Sequence, residues 1–308
     1  MTHHAVAAAL KSKKNRILCW SILIASGVIY GSSFSFMKIA VSGGGSPLGM
    51  VFWFAILATA VLAVELVITG KFWTLKMRLL GFCLPWGILS VVFPNFLFFY
   101  AAQQIPASII AMGIALVPIL TLACAVLLKR EKLTLRRSAG IGFGAVGVMM
   151  VLLPKTSLPE PDDAFFVLMA FIGAACYAAE HIYIEARAPD NIGIDRLLFL
   201  MFSSVSILLL PLVLVTDNFF VPHWPLGVPE GAMIAVATIT LLDYFFITLL
   251  ILLAGPVFTS QAAYIVTLAG ILWGTTIFHE SHSPWIWAAI CALMLGLTLI
   301  RPRPGNQS

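Results

Sequence analysis

The amino-acid sequence predicts an all-α polytopic membrane protein, with ten transmembrane helices arranged as two inverted five-helix repeats. Three observations support this prediction. Charged residues make up only 10% of the 308-residue chain and hydrophobic residues 61%, whereas a soluble domain has about 25% charged residues. Long apolar segments recur along the chain, and similar residues recur at matching positions of its two halves.

The composition excludes several classes of protein. A water-soluble fold of this size cannot bury so much apolar surface, and a chain so rich in order-promoting residues is neither disordered nor collagen-like. The 5 cysteines lie in or beside apolar runs and show no C-x-x-C spacing. They therefore indicate small buried residues, and no disulfide framework, redox motif or metal site is expected from them.

Each predicted helix is a mostly apolar segment, and crossing about 30 Å of hydrocarbon takes about 17–25 such residues. Continuous apolar runs indicate helices, because the strands of a membrane barrel would alternate in polarity. In chain order the segments are residues 17–37, 48–69, 79–100, 107–128, 138–153, 164–184, 197–215, 231–253, 257–278 and 284–300. The chain then divides into a tail (1–16), a first repeat (17–153), a second repeat (164–300) and a tail (301–308).

Prolines predict irregularities in two of these segments. Pro85 and Pro94 lie in the third segment and Pro118 in the fourth. Proline has no backbone N–H to donate to the residue four positions earlier, so each is expected to kink or break its helix.

Lysine and arginine predict the orientation of the chain. All of the 18 basic residues except Lys38 and Lys155 precede the first segment or follow the second, fourth, sixth and tenth. Cytoplasmic loops retain basic residues, so both termini are predicted to be cytoplasmic in a multi-pass protein of the cell (plasma or inner) membrane. The net charge of +5 then reflects topology and attraction to the inner leaflet, and it does not indicate a nucleic-acid partner.

Internal repetition predicts the inverted arrangement. An offset of 149 residues places Glu131 on Glu280, and an offset of 147 places Tyr30 on Tyr177. Because each half contains an odd number of helices, the second half must enter the membrane upside down relative to the first. Inverted repeats of this kind are the architecture of alternating-access carriers.

Several short motifs bear a resemblance to a known family. They are Tyr30–Phe34, Ile105–Ser108, Val117–Thr121, Lys129–Thr134 and the glycines at 140, 144 and 147. Together they resemble the EamA signature of the drug/metabolite transporter superfamily, over about residues 17–300. The second copy is more degenerate, since Gly255-Pro256 and Glu280 are present but Thr267 stands where the first copy has Pro118. The resemblance implies a ten-helix carrier of small organic metabolites, often amino acids and often exported.

Strongly polar residues inside the segments are the candidate functional residues, because a charge at the bilayer centre costs about 2.5–3.5 kcal/mol. Glu180 shares a helix face with Tyr177, and Asp243 lies in the eighth segment. We expect such residues to converge on a central cavity and to bind the amino group of a cationic or zwitterionic substrate, or a coupling proton. The predicted substrate-binding residues are Tyr30, Asn95, Tyr177, Glu180, Asp243, Gln261, Tyr264 and Trp273.

Two alternatives stay open at this point. Glu180 and Asp243 could be buried carboxylates that neighbouring hydroxyl or backbone groups merely satisfy. They could also serve, with His181, as the acid and base of a membrane-embedded enzyme. The short loops argue against an enzyme, because they leave little structure to shape a catalytic site at the interface.

No cofactor, metal or catalytic motif is predicted. The sequence lacks a Walker A motif, an H-E-x-x-H motif and a G-x-S-x-G elbow. His279, Glu280 and His282 are interpreted as a polar rim. Lys38 could attract an anionic group such as a carboxylate, but it is interpreted as a side chain that extends to the headgroups, and so is Glu65.

Overall fold

The computed structural model describes residues 13–129, 134–152, 163–189, 192–219, 221–222, 224–280 and 283–299. The C-terminal tail, most of the N-terminal tail, and Glu131, Lys155 and His282 lie outside this described part. Within it, all regular structure is helical and no strand occurs. The helices are α1 (Lys13–Ser42), α2 (Pro47–Ile68), α3 (Leu80–Gly87), α4 (Phe93–Ala102), α5 (Ala107–Ile114), α6 (Val117–Leu127), α7 (Leu135–Leu152), α8 (Asp163–Arg187), α9 (Ile194–Val215), α10 (Val228–Ala254), α11 (Pro256–Thr259), α12 (Ala262–Phe278) and α13 (Pro284–Leu299).

Seven stretches of the described chain are long and apolar enough to cross a membrane. They are Ile17–Ser42, Pro47–Ile68, Met77–Ala102, Ala107–Leu127, Asp163–Arg187, Ile194–Val215 and Val228–Ala254. The helices α12 and α13 are apolar but shorter, and α7 coincides with the remaining predicted segment. The all-helical, membrane-spanning character predicted from the composition is confirmed.

Helix ends follow from local sequence. Ser46 caps α2 by accepting a hydrogen bond from the N–H of Gly49 at 3.0 Å, and Pro47 occupies the first helical position, where its missing N–H costs nothing. Gly255 ends α10 with a φ of +84°, a conformation that favours glycine. Pro256 then begins α11.

Interruptions lie beside two of the three prolines, Pro94 and Pro118, whereas Pro85 lies inside the uninterrupted helix α3. A π-helical turn at Ile88–Val92 separates α3 from α4, and Pro94 follows at the second position of α4. The fourth segment is divided between α5 and α6, and Pro118 is the second residue of α6. A further break, at residues 260–261, separates α11 from α12.

The two halves of the chain interleave. Helix α1 packs between α10 and α12, α2 packs against α9, and α5 packs against α12. In the same way α8 contacts α4 and α6, while α13 packs on α7. The site described below is formed by both halves.

The ends of the bundle differ in charge. Lys71, after α2, donates to Asp195 at 2.7 Å, and Arg196 donates to Thr74 at 3.1 Å. The α2–α3 and α8–α9 connections, which also carry Lys76, Arg78 and Arg187, thus lie at one end, here called the basic end. At the opposite end, Ser46 before α2 donates to the carbonyl of Asn218 after α9 at 2.9 Å.

Close helix packing depends on glycine where α12 crosses α1 and α5. A Cβ atom on Gly270 would collide with Ala111 of α5, and one on Gly31 would collide with Ala269. Lipid offers no hydrophobic drive between helices, so such close backbone approach is a main source of their association.

We predict that Gly270→Ala lowers the stability of the protein by about 1–3 kcal/mol, the usual cost of overpacking a filled interface. Gly142→Ala is the matched control, because a Cβ there meets no atom within 4 Å. Thermal unfolding in detergent micelles measures both. An equal loss in the two variants would contradict the packing assigned to Gly270.

Candidate functional site

A small cavity of about 50 Å³ lies among α1, α8, α10 and the two broken segments. Its lining residues are Tyr30, Ile114, Val117, Tyr177, Glu180, His181, Asp243, Tyr244, Ile247, Thr259, Ser260, Ala262, Ala263 and Val266. Residues from both halves of the chain therefore form its wall.

Both helix breaks open onto this cavity. Ile114 ends α5 and Val117 begins α6, and both line the wall. Thr259, Ser260 and Ala262 line it on either side of the break between α11 and α12. At membrane depth, irregular backbone is tolerated only when it is buried in protein or lines a cavity. The positions of the two breaks satisfy that rule.

Glu180 projects from α8 into the cavity and is 2% exposed. Its Oε1 accepts a hydrogen bond from the indole Nε1 of Trp86 at 2.9 Å. Trp86 belongs to α3 and is fully buried, so the third segment holds the carboxylate in place. The next residue, His181, also lines the cavity, and its Nδ1 is buried without a hydrogen-bond partner among the described residues.

Asp243 reaches the same cavity from α10. Its Oδ1 accepts a hydrogen bond from the hydroxyl of Ser26 on α1, and Ser26 is itself buried. The two carboxylates thus come from different helices of the second half. Each is held by an uncharged donor of the first half.

A pair of tyrosines forms another part of the wall. The hydroxyl oxygens of Tyr30 and Tyr177 are 2.6 Å apart and hydrogen-bonded. Phe34 packs edge-on to Tyr30 with ring centroids 5.5 Å apart, and Phe98 lies 5.6 Å from the Tyr177 ring. These rings give the cavity an aromatic border, which suits cationic as well as apolar groups.

No lysine or arginine lines the cavity. Within the described part of the chain, neither Glu180 nor Asp243 forms a salt bridge. The described residues also contain no group of three side chains that could hold a metal ion. Among the described residues, the lining of the cavity therefore presents two carboxylates and no lysine or arginine that could neutralise them.

Four of the predicted substrate-binding residues, namely Tyr30, Tyr177, Glu180 and Asp243, line this cavity. The other four do not. Gln261 precedes α12, Tyr264 lies within it, and Trp273, near its far end, is 38% exposed. The face of α12 toward the cavity carries Ala262, Ala263 and Val266, and helical periodicity places Gln261 and Tyr264 on the opposite face.

Asn95 supports the backbone rather than the cavity. Pro94 has no N–H to donate to the carbonyl of Ser90, four residues earlier. Asn95 Nδ2 donates to that carbonyl at 3.3 Å and to the carbonyl of Val91 at 2.9 Å. The hydroxyl of Tyr244 also donates to the Ser90 carbonyl.

Sequence reasoning did not identify Trp86, Ser26, Thr259 or Ser260 as parts of the site. Tryptophan and serine occur throughout the apolar segments, so their types alone did not single them out. Gly255-Pro256, directly before Thr259 and Ser260, was the available signal of irregular backbone there.

The polar residues at the opposite end fasten α12 to α5. Glu280 accepts hydrogen bonds from the backbone N–H groups of Ala107 and Ser108, at 2.9 and 3.3 Å, and from the Ser108 hydroxyl. Lys38 donates to the carbonyl of Ile105 at 3.1 Å and lies 5.7 Å from the centroid of the Phe278 ring. Glu280 and Lys38 thus contact protein groups at this end.

Comparisons with known proteins agree with this architecture. Residues 17–153 match the model of the EamA-like transporter family. A crystal structure of another protein superposes with a TM-score of 0.59 and 17% sequence identity, and the match covers 92% of this chain and 97% of that chain. At that identity the likeness shows the fold alone. No curated protein matches the sequence.

We predict that Tyr244→Phe lowers the free energy of unfolding by about 1 kcal/mol, because it removes one hydrogen-bond donor to the Ser90 carbonyl. Pro94 has no N–H to donate to that carbonyl. The matched control is Tyr264→Phe on α12, which removes a hydroxyl away from the π-helical turn. Thermal unfolding compares the variants. Equal melting temperatures for Tyr244→Phe and the unmodified protein would refute this role.

Proposed function

We propose that the chain, whose residues 17–153 match the model of the EamA-like transporter family, is a secondary transporter of the drug/metabolite transporter superfamily that carries small organic metabolites by alternating access. The family consists of membrane transporters. The substrates we propose are amino acids or related amines. The observation that carries this proposal is the pair of carboxylates, Glu180 and Asp243, in a cavity between the two halves of the chain.

Contacts between equivalent positions support an inverted repeat. Helices α2 and α9 both contain 22 residues and start at positions 47 and 194, the same offset that relates Tyr30 to Tyr177. The hydroxyl of Thr59 on α2 lies 3.3 Å from that of Ser206 on α9, again 147 residues away. In a two-fold arrangement, only residues near the axis can contact their own counterparts. Both contacts therefore support ten spans in two inverted five-helix repeats, with the cavity beside the axis.

The polar groups of the cavity favour a substrate with an amino group. An ammonium group placed between Glu180 and Asp243 would neutralise charge that is costly at this depth. The N-terminal ends of α6 and α12, at Val117 and Ala262, also line the wall. Helix N-termini carry partial positive charge, and in carriers with broken helices they face anionic substrate groups. A zwitterion such as an amino acid would find partners for both of its charges.

The remaining features of the transport cycle are also proposals. A proton could neutralise the same carboxylates when the substrate leaves, which would couple transport to the proton gradient. The distribution of lysine and arginine supports a cytoplasmic basic end and cytoplasmic termini. Export from the cell stays a prediction from the family resemblance.

We predict that Glu180→Gln reduces uptake of the substrate amine or amino acid into proteoliposomes by about ten- to hundredfold, because a charge-assisted hydrogen bond contributes about 1.5–3 kcal/mol. Counterflow with labelled amino acids, amines and sugars identifies the substrate first. Glu185→Gln is the matched control, since it makes the same change on an exposed face of α8.

Unchanged rates and unchanged pH dependence in Glu180→Gln would contradict the proposed site. The same assay separates a transporter from a membrane enzyme. A transported compound is recovered chemically unchanged on the other side of the membrane, whereas an enzyme would convert it.

We predict that removing the Glu280 hydrogen bonds increases access to the cavity from the end of the bundle opposite to the basic end. Ser260→Cys, in a background without the 5 native cysteines, should be labelled by a membrane-impermeant thiol reagent from the basic end, and substrate should protect it. Glu280→Ala should increase labelling from the opposite end, because it removes the hydrogen bonds to Ala107 and Ser108.

Ser283→Ala, in the same connection as Glu280, is the control and should leave the labelling pattern unchanged. Labelling of Ser260→Cys that is equal from both sides, or that is insensitive to Glu280→Ala, would argue against alternating access through this cavity.

A further inference from the structure

A second, unassigned cavity lies at the basic end, on the outer surface of the bundle. It is an apolar groove with about 1290 Å³ of empty volume, between the α2–α3 connection and α9. Its lining includes Phe72, Trp73, Leu84, Phe199, Ile207 and Leu208. Trp73 is 89% exposed and Ile207 is 73% exposed, so no protein side chain of the described residues covers them.

A polar pocket continues from this groove toward the end of the bundle. It has about 250 Å³ of empty volume, and Thr74, Lys76 and Arg196 contribute its polar groups. The pocket and the groove share two lining residues, Leu75 and Leu200. One continuous surface therefore changes from apolar, along α9, to basic at the point where α9 begins.

The two cations of this pocket have different surroundings, because Lys76 is exposed, whereas Arg196 is half-buried and interacts electrostatically with Asp195. Arg196 donates through Nη1 to Thr74 at 3.1 Å, but its Nε is buried and has no hydrogen-bond partner among the described residues. Lys76 is exposed and forms no salt bridge within the described chain. Lys71 differs, because Asp195 at 2.7 Å and Glu65 at 3.6 Å already neutralise it. The hydrogen bond to Asp195 accordingly raises the pKa of Lys71.

We propose that this surface binds an anionic phospholipid, whose phosphate lies against Lys76 and Arg196 and whose acyl chain lies in the groove along α9. A ligand that is both anionic and long-chain apolar matches the two parts of the surface. Tryptophan beside basic residues is typical of the membrane interface, and basic clusters at the ends of spans attract anionic lipids.

The corresponding connection at the opposite end lacks this chemistry. Residues 216–227 follow α9 as residues 69–80 follow α2, and they contain Asp217 but no lysine or arginine. The lipid site is therefore expected on one face of the membrane. The proposed lipid site does not depend on the proposed transport function, because no residue of the groove or the polar pocket lines the cavity that contains Glu180 and Asp243.

The test measures thermal stabilisation of the purified full chain in detergent, during titration with phosphatidylglycerol or phosphatidylcholine of the same chain length. We expect stabilisation by phosphatidylglycerol at lower concentration. Lys76→Gln and Arg196→Gln should each raise the half-maximal concentration about fivefold, the worth of one basic residue near an anionic surface. Arg187→Gln, which removes an exposed charge of the basic end outside the pocket, should leave it unchanged.

Two further measurements test separately the acyl chain and the phosphate of the lipid. Ser204→Phe places a ring in the groove and should abolish the advantage of long over short acyl chains. Inorganic phosphate alone should give no comparable stabilisation. Equal stabilisation by both lipids, equal stabilisation by phosphate alone, or an unchanged titration in both Lys76→Gln and Arg196→Gln would overturn the proposal.

Discussion

The hydrocarbon core of a membrane supplies no hydrogen bonds, so every backbone irregularity must be satisfied within the protein. This constraint explains where the helices are irregular. Pro94 leaves the carbonyl of Ser90 without its helical donor, and Asn95 and Tyr244 supply donors in its place. The breaks at 115–116 and 260–261 both face the cavity. The breaks at 115–116 and 260–261 thus lie at one site, while α1, α2, α8, α9 and α10 stay long and continuous.

The same constraint applies to charge. Trp86 and Ser26 each donate one hydrogen bond to a carboxylate of the cavity, but neither donor carries a charge. They orient Glu180 and Asp243 without neutralising them. A carboxylate held in this way has a fixed position and an unmet preference for a cation. Packing between the halves therefore positions the groups whose chemistry we propose to be used in transport.

Sequence reasoning was most successful where composition itself is a physical constraint. Charge is costly in a membrane, so the rare acids Glu180 and Asp243 stand out in the sequence. The repeat offset pairs Tyr30 with Tyr177, and their hydroxyls are hydrogen-bonded in the structure. Asn95 was assigned to the site because it is polar at mid-span, although the adjacent Pro94 already implied a carbonyl in need of a donor.

Gln261, Tyr264 and Trp273 lie outside the cavity for a geometric reason. Gln261 and Tyr264 share a helix face, but it is the face opposite to the one with Ala262, Ala263 and Val266, which lines the cavity, and the sequence does not show which of the two faces turns inward. The positions of Trp86 and Ser26 beside the carboxylates result from contacts between helices that are distant in the chain. Helical periodicity does not encode such contacts.

The central claim is that Glu180 and Asp243 together hold the amino group of a transported metabolite. A cryo-electron microscopy structure of the purified protein with its amine or amino-acid substrate bound tests this most directly. We expect the substrate nitrogen to lie between the two carboxylates, at about 2.7–2.9 Å from an oxygen of each. A substrate bound elsewhere, or a carboxyl group of the substrate facing Glu180, would contradict it.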